Sequence, residues 1–166
     1  DIRMAAGASI IIRGRLQANG TELKPIRFLP LESNAKPWGT IALVGRGARD
    51  SSLRHCEMSG GSGHKEALAE YSAMLSVHDV QGMTIADCLF RDNHLVDEMV
   101  HAVYSDIRCE RVTFENASAD ALDLDMSKAI ISDSRFNDNG NDALDLMGTA
   151  AFVTRSIFRS SGDKGI

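Results

Sequence analysis

The chain has 166 residues, of which 43% are hydrophobic, 5% aromatic and 25% charged, proportions that suit one globular domain. A formal charge of −5, without any clustered stripe of Lys and Arg, argues against nucleic acid as a partner. No apolar run approaches the ~18 residues of a membrane span, so none is expected.

Taken in order, residues 2–16 read as a first coil, with Ile10 and Ile12 facing inward and Gly7 and Gly14 in turns. Residues 20–25 form a turn into Ile26 and Phe28. An irregular stretch with Pro30 and Pro37 then leads to a strand over 39–44. Trp38 has two readings, an exposed platform on which a sugar stacks or a cover for the end of the core. Residues 60–73 are an insertion. Its glycine-rich start reads as loop, and the helix-forming composition after Lys65 allows a short helix.

From residue 119 onward one phrase recurs. Asp120-Ala-Leu-Asp-Leu returns as Asp142-Ala-Leu-Asp-Leu after 22 residues, a period that marks coils of a solenoid. Extended backwards, the period aligns Phe28, Met58, Phe90, Phe114, Phe136 and Phe158 in one column. Ile26, Cys56, Cys88, Val112, Ser134 and Ser156 form a second, and Leu23, Leu53, Ile85, Cys109, Ile131 and Val153 a third. All three columns are apolar or small. Coils of this length have no room for a helix beside their strands, so neighbours must stack in parallel, roughly 4.8 Å apart. The expectation is an all-β parallel β-helix of six to seven coils, a single domain over 1–166.

The phrases IISDSRFNDN at 130–139, MTIADCLFRDN at 83–93, and GRLQANGTELKPIRF at 14–28 followed by PWGTI at 37–41 carry a resemblance. They look like the opening coils and later repeats of the right-handed parallel β-helix, or pectin-lyase-like, superfamily. The resemblance implies a right-handed solenoid located outside the cytoplasm, with a polysaccharide as its partner. It also implies one of several activities, because that superfamily includes lyases, hydrolases, epimerases and domains without known activity. The paired-Asp and Gly-His-Gly signatures of polygalacturonase-like hydrolases are absent. The Arg-centred motif of pectate lyases is not recognisable either. The repeat stops in mid-strand at Ile166, so the chain is expected to be part of a longer protein, with open coil ends capped by further coils or joined end to end.

Cys56, Cys88 and Cys109 fall in inward columns and read as buried free thiols, although Cys56 and Cys88 stand on adjacent coils where a disulfide is conceivable. The gap from the Phe column to the next strand is 13 residues after Phe28, 16 after Met58, 9 after Phe90 and 7 in each later coil. Insertions therefore gather on one side, which in solenoids is often the binding side.

Beyond those loops the alignment places His101, Asp123 and Asp145 in one outward column, and Glu98, Asp120, Asp142 and Lys164 in another, with Asp125 two residues past Asp123. Carboxylates stacked about 5 Å apart repel, so they raise some of their own pKa values, recruit cations or hold a metal ion. Asp120, Asp123, Asp125, Asp142 and Asp145 offer the oxygen ligands that Ca²⁺ prefers. Paired carboxylates also suit acid/base chemistry at a glycosidic bond, which casts Asp123 and Asp145 as the pair and His101 as an acid or base. Lys65, Tyr71 and Trp38 are the candidate substrate contacts. Against this stands a structural reading, since Asp and Asn before a strand commonly bond nearby backbone amides. Two functions follow, a carbohydrate-binding or carbohydrate-processing module and a non-catalytic structural or adhesive β-helix of a larger surface protein.

Overall fold

The computed structural model describes residues 1–32, 36–66 and 68–166, with Glu66 described in its backbone alone. It is a parallel β-helix with three long sheets. Sheet I stacks Ile2–Met4, Ile26–Pro30, Cys56–Ser59, Leu89–Arg91, Thr113–Glu115, Arg135–Asn139 and Ile157–Ser161. Sheet II stacks Ile10–Ile12, Ile41–Val44, Ala73–His78, Glu98–Val103, Asp120–Asp125 and Leu144–Met147. Sheet III stacks Gln17–Asn19, Ser52–Arg54, Met83–Ala86, Asp106–Glu110, Lys128–Ser132 and Ala150–Thr154. Among the described residues no helix is long and apolar enough to cross a membrane.

Each coil needs three sharp corners, and the backbone supplies them with left-handed residues. One corner column is Gly45, Asp79, Tyr104, Met126 and Gly148; another is His55, Asp87, Arg111, Asp133 and Arg155; the third is Gly60, Asp92, Asn116, Asp138 and Ser160. Gly, Asn and Asp tolerate this region best, which explains why they punctuate the sequence where strands end. At the second corner the side chains also alternate in sign. Arg111 forms a two-pronged pair with Asp87 (2.6 and 2.9 Å), and Arg155 does the same with Asp133 (2.6 and 2.7 Å).

The core is built of ladders. The Phe column holds in register from Phe28 to Phe158. Phe90, Phe114, Phe136 and Phe158 stack with centroids 5.4, 4.7 and 4.7 Å apart. Hydroxyls form parallel ladders at coil corners, where the amides of Val80, Ser105 and Ser127 donate to the next coil's Ser105, Ser127 and Thr149, each at 3.0 Å. Cys56, Cys88 and Cys109 are buried free thiols.

Three expectations are corrected. Leu23 is not an inward residue; it is 93% exposed, and Ala18 takes its place opposite Leu53, because Thr21 and Lys24 close a tight reversal that carries Leu23 away from the core. Ile41 pairs with Leu75, one residue on from the expected Met74. Within the insertion, His64–Glu66 and Ala69–Tyr71 form an antiparallel hairpin in place of a short helix; Ala67 lies outside the described residues. Hairpin pairing satisfies backbone groups that a single turn of helix would leave open at both ends.

Candidate acid–base site

Sheet II carries the site on its outer face. Alternation along its strands sends Val100, Leu122 and Leu144 into the core, and sends His101, Asp123 and Asp145 outward on successive coils in direct register. Ala42 and Ser76, earlier in the same column, are fully buried, so the column is covered at that end. The hairpin comes close there, with the Tyr71 ring 5.3 Å from that of His78 and the His78 ring edge-on to His101 at 5.6 Å.

His101 is the hub. Its Nδ1 lies 2.9 Å from the Ser72 hydroxyl, and its Nε2 lies 3.3 Å from Asp125 Oδ2 and 3.7 Å from Asp123 Oδ2. The side chains of His101, Asp123 and Asp125 are only 12, 13 and 21% exposed. Burial pushes the Asp123 carboxyl up to about 7; His101 opposes that rise, while Asp125, Glu98 and Asp145 add to it. Burial likewise raises Glu98, against a hydrogen bond from Ser72 that lowers it. His78 is driven down to about 4 by burial and by the neighbouring His101. Asp123 Oδ1, Glu98 Oε2 and His78 Nε2 are each buried without a hydrogen-bond partner among the described residues. Groups that crowd together with opposed protonation preferences are the usual substrate of proton-transfer chemistry.

The remaining sequence candidates separate into different roles. Asp120 and Asp142, expected to face outward, are 9 and 8% exposed and serve the turns. Asp120 Oδ1 accepts from the Asp142 amide and the Asn141 side chain, both at 2.8 Å, and Asp142 Oδ1 accepts from the Lys164 amide at 2.8 Å. Among the described residues, the ligand atoms brought within 4.8 Å of one another belong to His101, Asp123 and Asp125. An imidazole and two carboxylates do not make the shell of six to eight oxygens that Ca²⁺ takes, and Asp120 and Asp142 have committed oxygens to backbone amides. Asp145 stands one coil further on, half-buried.

Of the two readings of Trp38, the sugar platform is the one corrected. Trp38 is 0% exposed and its indole N–H donates to the Ser59 carbonyl at 2.7 Å, so no sugar reaches its face. Lys65 is exposed and paired with Glu70 at 2.8 Å, and Tyr71 is buried. Both line a cavity of about 260 Å³ together with Ser62, Ser72 and Val96. A larger cavity, about 580 Å³, lies elsewhere, on the outer face of sheet III, where Thr84, Arg108, Ile130 and Phe152 line it together with Asp106 and Lys128.

Sequence reasoning placed Glu98 in an outward acidic column but missed Ser72 and His78 as site members. Ser72 and His78 flank the end of the longest insertion, where the repeat alignment slips by a residue. Their outward direction follows only from the register that pairs Ser76 with His101.

No protein-family model and no curated protein matches the chain. Among solved structures it is similar to an alginate lyase from Paenibacillus sp. str. FPU-7, with 15% identity and a TM-score of 0.40 over 96% of this chain and 68% of that one.

Proposed function

We propose that this β-helix binds and chemically processes a polysaccharide on the outer face of sheet II, outside the cytoplasm, with Asp123, His101 and Asp125 as its proton-transfer centre. The observation that carries this reading is Asp123, a largely buried carboxyl with one oxygen unpartnered among the described residues, set against an imidazole and a second carboxyl. A carboxyl that keeps its proton near neutrality is a competent general acid, and an adjacent imidazole or ionised carboxylate is a competent base. The ligand atoms of His101, Asp123 and Asp125 fall within 4.8 Å of one another, close enough for a proton to pass between them directly or through one water. A solenoid also suits a polymer, because its repeated coils offer a long straight surface along which successive sugars lie.

The cavity beside Ser72, with exposed Lys65 at its rim, gives a substrate contact next to that centre. The test is a panel of purified polysaccharides, O-acylated and unsubstituted, assayed for new reducing ends, unsaturated uronyl products and released acid. Turnover that Asp123→Asn abolishes in a folded protein supports the reading. No turnover of any polymer, with no binding by calorimetry, contradicts it.

A further inference from the structure

Ser72 precedes the strand Ala73–His78, and its hydroxyl lies 2.9 Å from His101 Nδ1. On the opposite edge of the same ring, Nε2 meets Asp125 Oδ2 at 3.3 Å. Hydroxyl, imidazole and carboxylate therefore lie in the order that activates a serine, with both links at or near hydrogen-bond length. The roles of the two ring nitrogens are exchanged relative to the commonest arrangement, but the chemistry depends on the order of the groups. It requires the tautomer with hydrogen on Nε2, directed at Asp125, and a bare Nδ1 to accept the Ser72 proton.

We propose that Ser72 is a nucleophile served by His101 and oriented through Asp125, and that the site removes small acyl groups esterified to a polysaccharide. Ser72 Oγ attacks the ester carbonyl carbon while its proton passes to His101 Nδ1. The tetrahedral intermediate then collapses, the C–O bond to the sugar breaks, and the sugar oxygen leaves with the proton from His101. Water, deprotonated by the same nitrogen, attacks the acyl-serine, releasing the carboxylic acid and returning the proton to Ser72.

Two further observations favour this assignment. The cavity that Ser72 lines, about 260 Å³, admits a short acyl group more readily than a chain of sugar rings. The Ser72 hydroxyl also donates to Glu98, which competes with His101 for the same hydrogen; burial favours neutral Glu98 and so weakens that competitor.

The inference rests on the proposed function for the polysaccharide half of the ester alone. The nucleophile is tested without any polymer, by treating the folded chain with a fluorophosphonate, mapping the adduct by peptide mass spectrometry, and following p-nitrophenyl acetate hydrolysis. The expected result is an adduct on Ser72, none on the ladder residues Ser105 and Ser127, and a fall in acetate release of at least about 100-fold in both Ser72→Ala and His101→Gln. Circular dichroism confirms that each variant is folded, and labelling of the unmodified chain stands even if a variant is not. An unlabelled Ser72 in the folded protein overturns the proposal, and polysaccharide turnover that persists in Ser72→Ala overturns it while leaving the acid–base reading in place. Labelling and acetate release without turnover of any polymer uphold the nucleophile and count against the polysaccharide.

Discussion

Asp120 accepts the backbone amide of Asp142, one coil on, through Oδ1 at 2.8 Å, and Asp142 repeats the contact with Lys164. These carboxylates tie coil to coil. Asp120→Ala leaves that buried amide without its acceptor and is expected to cost about 1–3 kcal/mol. Asp120→Asn keeps an oxygen in place and costs less. Urea unfolding of the two variants separates them, and equal losses would remove the amide contact as the explanation.

The Phe ladder makes a sharper stability prediction. Phe114 is fully buried between Phe90 and Phe136, whereas Phe158 has a ring neighbour on one side and is only partly buried. Phe114→Ala should cost about 3–5 kcal/mol, and Phe158→Ala clearly less, because the cavity left at Phe158 opens to solvent. Denaturant midpoints measure both.

Trp38 is the only tryptophan, so its emission reports one environment. Its burial and its bond to Ser59 predict a blue-shifted maximum, poor quenching by acrylamide, and no change when a saccharide binds. Emission typical of water, or quenching by a sugar, would restore Trp38 as a contact.

How far these features were legible in the sequence depends on which force sets each of them. The 22-residue period from Asp120 to Asp142 and the Phe column are repeated burial patterns, and burial is what a sequence records most plainly. Through them the outward column of His101, Asp123 and Asp145 followed correctly from alternation. Leu23 was misplaced because the same apolar letter serves a coil or a reversal, and only the Thr21–Lys24 pairing decides between them. Asp120 and Asp123 lie three residues apart on one strand, and the sequence gives both the same letter. One bonds a backbone amide and the other stands buried beside His101, a difference made by neighbouring coils. Ser72 escaped notice because its meaning lies wholly in a contact across 29 positions of the chain.

His78 yields a pH prediction. Its folded value of about 4 lies below its ordinary 6.5, so the native state binds fewer protons than the unfolded chain between those two values. The stability associated with neutral His78 is present above pH 6.5 and is lost as pH falls towards 4, by on the order of 1–3 kcal/mol. His78→Gln should flatten that limb of the stability curve, and an unchanged slope would show that other groups set it.

The most direct test of the reaction centre is the titration of Asp123 itself, followed through its side-chain carboxyl ¹³C resonance in the folded protein. Burial beside Glu98, Asp125 and Asp145 predicts a midpoint of about 7, with Asp123 protonated below it. Because that value lies above the ordinary 3.8, the native state holds the extra proton between them; stability is greatest below 3.8 and declines as pH rises through 7. A midpoint near 7, with polysaccharide turnover falling over the same range, is the result this account predicts. A midpoint near 3.8 would contradict it, because Asp123 would then be an ordinary ionised carboxylate with no proton to give.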